Sequence, residues 1–267
     1  MSHPGPRRDG SGFRAGRARR RKEWIMAGEG NWYDLRVYVG NIGRYNEGSL
    51  VGGWATLPMG RDDLDAFLRD RVGIDGVRYE EYKIDDYERP DWMPRGVIDQ
   101  HTRVEDLNVL ANVLAGLSGG REDAAKAGVW MEEMMPDGRS PLAFANLALQ
   151  ADGIPFLAYS AGSPETLGCS CEEAFALSLM ECDGELRETY EGPFGMYLDM
   201  EAIGRDRAMD CTLYADGYLD RSVDADADPE LYSRGELMCL AGLDDNDDVC
   251  AASIVMPDPV EEAGHAR

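Results

Sequence analysis

A chain of 267 residues with 43% apolar and 9% aromatic content can hold one large domain or two to three small ones, and it is too apolar to be an acidic disordered protein. Its 51 acids and 27 bases are segregated: residues 1–31 carry eight Arg or Lys against three acids, which leaves residues 32–267 with a net charge of −29. That lies far outside the roughly ±8 that keeps a small domain soluble, and self-repulsion of this size opposes compaction, so either salt screens it or a cationic partner surface requires it.

Residues 1–31 read as a basic disordered arm, or as upstream sequence before a true start at Met26. Arg19-Arg20-Arg21-Lys22 suggests twin-arginine export, but only Trp24 to Ala27 follows before Gly28, without an apolar h-region. The longest apolar stretches run five or six residues, as in Ala251 to Met256, too short to span a membrane. A cytoplasmic protein is expected.

Residues 32–98 read as an N-terminal α+β module. Leu35, Val37 and Val39 alternate with polar positions, the period of a half-buried strand. A Gly/Asn-rich connection from Asn41 to Ser49 leads to a second strand over Leu50 to Leu57. Arg61 to Val72 places Leu64, Phe67, Leu68 and Val72 on one helical face, with Asp62 and Asp63 in the first turn. Tyr79 to Ile84 is expected to be the third strand.

Residues 99–165 read as a helical module. Thr102-Arg-Val-Glu105 has capping-box spacing and precedes an apolar period that ends at Gly119-Gly120. A second helix is expected over Glu122 to Met135, and a third from Ser140-Pro141, a favourable N-cap and N1 pair, to near Gly153. Phe156 to Tyr159 follows as a short strand.

Residues 166–222 read as an acidic C-terminal α+β module. Ser170-Cys-Glu-Glu173 repeats the capping-box spacing and opens a helix to about Cys182. Met209, Cys211 and Leu213 alternate with polar residues before the Asp216-Gly217 turn signal, which predicts a hairpin. The extension 223–267 reads as a helix over Glu230 to Leu240, an acidic loop and a strand-like piece. The whole is α+β in three modules without an internal repeat.

Chemistry that would mark an enzyme does not assemble. Asp244 to Asp248 and Asp224 to Asp228 imitate the start of a calcium loop, but its required Gly is replaced by Val249 or Pro229 and its required Glu by Val255 or Gly235. His3, His101 and His265 are the only histidines, and His101 reads as a surface residue. Six cysteines (169, 171, 182, 211, 239, 250) without an export signal are expected as reduced thiols. Cys169-Ser170-Cys171 with Cys182 lacks usual zinc spacing. No phosphate-binding glycine motif occurs. Neither catalytic nor metal nor cofactor residues are expected.

What stands out is where the acids fall. Between Glu172 and Glu230 there are 17 acids and four Arg, spread over helix, turn and strand with apolar positions between them. A solvated tail would instead be a run of like charge without apolar period. Like charges on a folded scaffold imitate a phosphate backbone, which carries one charge per roughly 1.7 Å of duplex axis. Only Lys22, Lys83 and Lys126 are lysines, and a Lys-poor, acid-rich chain also suits a salt-adapted enzyme. That reading and mimicry aimed at a nucleoid or regulatory factor stand as alternatives.

Three blocks carry a family resemblance: YVGNIGRYNEGSLVGGWATLP from Tyr38 to Pro58, YEEYKIDDYE from Tyr79 to Glu88, and YLDMEAIGRDRAMDCTLYADGY from Tyr197 to Tyr218. Together they resemble the ArdA antirestriction family, over about residues 34–222. The resemblance implies an elongated, three-module acidic DNA mimic from a mobile element. Such proteins dimerise and occupy the DNA-binding cleft of type I restriction-modification enzymes, without binding nucleic acid or membrane themselves. Two bodies of −29 would match the charge of roughly 29 base pairs. It places Asp199, Glu201 and Asp206 in the region tied to antirestriction or dimer contacts. Glu172, Glu173, Glu181, Asp210, Asp216 and Asp220 complete the expected set of partner-binding carboxylates. Asn41, Gly43, Tyr45, Asn46, Glu47, Gly48 and Trp54 are expected to specify a loop and a packed strand.

Overall fold

A computed structural model describes residues 31–90, 92–225 and 227–244. The basic head, Cys250, His3, His265, the Ala251 to Met256 stretch and most of the Asp244 to Asp248 loop lie outside these residues.

The first sheet has the order β2-β1-β3, all antiparallel, from β1 (Leu35–Asn41), β2 (Gly52–Leu57) and β3 (Tyr82–Glu88). The period-2 pattern of β1 buries Leu35, Val37 and Val39 completely, and Leu57 and Ala55 face the first two across the ladder. Against this face packs α2 (Arg61–Phe67), which continues through a π turn over Leu68–Val72 and stops at Gly73 with φ 75°. The connection after β1 is a one-turn helix, α1 (Ile42–Asn46), rather than an open loop.

The strand expected at Tyr79–Ile84 starts three residues later. Asp75 holds the chain before it in a tight turn, accepting from the amides of Val77, Arg78 and Tyr79 at 2.8–2.9 Å. Those three bonds keep the Asp75 carboxyl below its ordinary range.

Helices α3 (Val104–Gly116), α4 (Arg121–Met134) and α5 (Pro141–Leu149) form the helical layer, with α5 packed on both others. Ser140 caps α5 by accepting from the Ala143 amide. The capping box expected at Thr102–Glu105 does not form. The Thr102 hydroxyl accepts from Asp99 N at 2.8 Å, and Arg103 occupies the N-cap without a side-chain bond. Tyr82 of β3 does the capping instead: its hydroxyl accepts from Val104 N at 3.1 Å and donates to Glu105. A cap from a distant strand competes successfully with the local one.

Carboxamides, buried at Asn108, Asn112 and Asn146 and half-buried at Gln150, tie this layer to the chain on either side. Asn108 reads both backbone groups of Met59, accepting from its N–H at 2.7 Å and donating to its carbonyl at 2.9 Å, while Asn112 donates to the same carbonyl at 3.2 Å. Asn146 does the same at Tyr232, at 2.7 and 3.1 Å. Gln150 pairs with both backbone groups of Asp228, at 3.1 and 2.8 Å. These bonds bring the chain after residue 223 back onto α3 and α5, where α10 (Arg234–Leu240) packs behind a capping box from Ser233 to Glu236. Arg234 adds an ion pair to Asp106 at 2.6 Å.

The second sheet has the order β4-β6-β5, from β4 (Phe156–Ala158), β5 (Cys211–Leu213) and β6 (Gly217–Asp220). The hairpin expected at Asp216-Gly217 is present. Tyr159, Ala174 and Phe175 form the local core with Tyr218, whose ring meets Phe175 edge-on at 4.8 Å. Four helices accompany the sheet: α6 (Pro164–Leu167), α7 (Cys171–Leu179), α8 (Gly184–Glu191) and α9 (Met200–Arg207). Ser170 caps α7 through the Glu173 amide. Neither α8 nor α9 is expected from periodicity, because each is short and polar over most of its surface. The buried Gly204 decides how α9 lies on α7: a Cβ there would stand 1.8 Å from the Glu172 carbonyl oxygen.

Cys169, Cys171, Cys182 and Cys211 are free thiols, and burial pushes those of Cys169 and Cys211 up.

Two outcomes follow from these contacts. Asn146→Leu keeps the branched shape and heavy-atom count of the side chain but leaves both backbone groups of Tyr232 without their partner, so it costs about 2–4 kcal/mol in urea denaturation. Gly204→Ala forces two helix backbones apart and costs about 2–3 kcal/mol, read as a lowered melting temperature. A melting temperature equal to that of the unmodified chain would remove the close-approach explanation for Gly204.

Candidate functional site

The expected carboxylates occupy the helices and hairpin around the second sheet. Glu172 and Glu173 sit half-buried in the first turn of α7, where the helix dipole favours negative charge. Glu181 is exposed just after that helix. Asp199 caps α9, accepting from Ala202 N at 3.0 Å, and Glu201 in the first turn pairs with Arg205 at 2.7 Å. Asp206 and Asp210 are exposed at the end of α9 and before β5, and Asp216 is exposed in the hairpin turn. Asp220 is half-buried at the end of β6 and accepts from the Ser222 amide and hydroxyl at 2.9 and 2.6 Å.

The set therefore divides by its local duties. Asp199, Glu201 and Asp220 are partly committed to caps, turns or an ion pair. Glu172, Glu173, Glu181, Asp206, Asp210 and Asp216 have no ion-pair partner among the described residues. Gly204 joins the two groups, because its close approach lays α9 across the acidic first turn of α7.

Acids not singled out from sequence stand beside these. Asp183 caps α8 through the Leu186 amide at 3.0 Å and pairs with Arg207 at 3.5 Å. Glu185, Glu188 and Glu191 are exposed along α8 at intervals of three, so they lie on neighbouring turns of one side. That interval is visible in the sequence, but it has meaning only once the segment is known to be helical.

The N-terminal block behaves differently. Asn41 is buried: its amide donates to the Val72 and Gly73 carbonyls at 3.0 and 3.2 Å, and its oxygen caps α1 by accepting from Arg44 N at 2.9 Å. A Cβ on Gly43 would press on the Tyr79 ring at 2.7 Å, and Gly48 has φ +82°. Glu47 accepts from Arg78 at 2.6 Å and from the Tyr79 hydroxyl at 2.8 Å, which holds its carboxyl below the ordinary range. Asn46 is exposed. Tyr45 and Trp54 stand at the surface, 56% and 38% exposed, not in the core. Lys83 lies over the Tyr45 ring at 4.8 Å, and Trp54 stacks edge-on with Tyr38 at 5.7 Å under the Arg36 guanidinium.

Among the described residues no group of three or more His, Cys, Asp or Glu is placed to hold a metal ion. His101 is exposed and lies 3.0 Å from the Gln100 amide. A polar cleft of about 530 Å³ lies between Gly60–Asp63 and Gly242–Asp244. Its ionisable side chains are Arg61, Asp62, Asp63 and Asp244, with no nucleophile or histidine among them. No described helix is long and apolar enough to cross a membrane. The distinctive chemistry is thus an array of hydrogen-bond acceptors with fixed negative charge, suited to guanidinium and ammonium donors.

A comparison with curated proteins finds no match. A family model described as "Antirestriction protein (ArdA)" matches residues 37–220, which takes in the first sheet, the helical layer and the second sheet through its hairpin. The match extends over more than two thirds of the sequence, and the chain belongs to the ArdA antirestriction protein family.

Proposed function

We propose that this antirestriction protein acts without catalysis, as a mimic of duplex DNA that occupies the DNA-binding cleft of a type I restriction-modification enzyme in the cytoplasm. The observation that carries this reading is the set of exposed carboxylates without ion-pair partners among the described residues, on α8, at the end of α9, in and beside the β5–β6 hairpin and just after α7. A protein that neutralises phosphates with Arg and Lys would meet comparable charge on these elements. Acids fixed on helices and a hairpin lose little freedom on binding, which favours affinity. We further propose a homodimer, in which two bodies of −29 lengthen the charged surface without new chemistry.

Charge of this kind works against the fold that carries it. Neutralising Glu181, Asp206, Asp210 and Asp216 together, as Gln and Asn, relieves self-repulsion and is expected to raise the melting temperature at low salt. The same variant should inhibit DNA cleavage by a type I enzyme about tenfold less well, with a flatter dependence on salt. Opposite signs for stability and inhibition separate a functional charge array from solvating decoration. Inhibition unchanged by the four substitutions would remove these residues from the contact surface, and failure of the unmodified chain to inhibit at stoichiometric excess would refute the type I target.

A further inference from the structure

The C-terminal end of α8 runs into an apolar projection. Phe194, Met196 and Tyr197 are 70%, 83% and 78% exposed, three large apolar side chains within four residues. The backbone under them is closely specified. Gly195 N donates to the Gly192 carbonyl at 3.1 Å, Tyr197 N to Phe194 at 3.0 Å and Leu198 N to Gly195 at 3.1 Å, forming a 3₁₀ turn. Gly195 is buried, and a Cβ on it would stand 1.8 Å from the Tyr190 carbonyl oxygen. The side chains are held outward by a turn packed on α8, and each forgoes the free energy that burial would supply. Large apolar groups kept in water at one place mark an interaction surface.

Charge decides what fits there. Glu188 and Glu191 precede the projection, Asp199 and Glu201 follow it, and all four are exposed. Residues 185–206 hold six acids and two arginines. A symmetric contact with a second copy would set this net negative surface against its own image, and like charges brought together oppose association. A cationic surface is complementary. Grooves that handle nucleic acid combine such charge with apolar or aromatic surface where bases lie.

We propose that Phe194, Met196 and Tyr197 form an apolar anchor that seats the acidic surface in an apolar socket of a cationic, DNA-binding groove. The proposal rests on the mimicry reading and adds to it a component that salt does not screen. Carboxylates set the long-range attraction and its salt dependence. The anchor fixes position and contributes through burial, which is nearly independent of ionic strength in this range.

The test uses the full chain carrying Phe194→Ser, Met196→Ser and Tyr197→Ser, titrated against a purified type I methyltransferase at several salt concentrations between about 50 and 300 mM. Loss of a buried aromatic anchor predicts affinity about thirty-fold weaker by the same factor at every salt, with an unchanged slope of log affinity against log salt. Neutralising Glu181, Asp206, Asp210 and Asp216 should instead flatten that slope. If the triple variant melts early, Met196→Ser alone carries the same measurement, with an expected loss of about fivefold.

Affinity equal to that of the unmodified chain at every salt overturns the anchor and leaves the mimicry reading standing. A change in sedimentation-determined oligomeric state with affinity per protomer unchanged also overturns it, assigning the patch to self-association. Absence of binding by the unmodified chain removes both readings.

Discussion

Neutral carboxamides on α3 and α5 hold this chain together where charged contacts would have to compete with its own field. Asn108 and Asn146 each take both the N–H and the carbonyl of a single residue far along the chain, as a neighbouring β-strand would. Such bonds are indifferent to the net charge, and because the carboxamides themselves are buried they are costly to leave unmade. Gln150 repeats the device at Asp228, near the same return of the chain. Surface ion pairs, worth about 0–1 kcal/mol each, could not perform this task in a body of −29. Asn41 plays a related part in the first sheet, tying the end of β1 to the end of the π turn.

With the interior secured in this way, the surface is free to be acidic. The acids are arranged so that several also serve the fold: Asp199 and Asp183 cap helices, and Asp75 and Asp220 organise turns. Acids at helix starts gain from the dipole, which partly offsets repulsion between them. Acids without such duties stand in the first module, as Asp62, Asp63, Asp65, Glu80 and Glu81 do, and others stand on the elements around the second sheet. Mutations there should therefore uncouple function from stability, whereas mutations among the carboxamides should not.

Much of the architecture is legible in the residues alone because it depends on local period and turn chemistry. The alternation of Leu35, Val37 and Val39 marks a buried strand face, Ser140-Pro141 starts α5, and Asp216-Gly217 turns the hairpin. Errors arise where a distant group outbids a local one. Thr102 and Glu105 have the spacing of a cap, yet Tyr82 takes the helix end. Asp75 delays the third strand by gathering three amides. Helices α8 and α9 escape notice because short polar helices lack an apolar period.

Composition and motif determine, without coordinates, that the protein is an acidic α+β chain of the antirestriction family, since net charge, apolar period and residue blocks are properties of the string itself. Only tertiary structure decides which acids remain unpaired and why Gly204 must lack a side chain. It also decides that Phe194, Met196 and Tyr197 face water, and that Asn146 finds Tyr232 86 residues away. Those facts depend on what each side chain meets after folding, and no spacing along the chain encodes a meeting between segments so far apart.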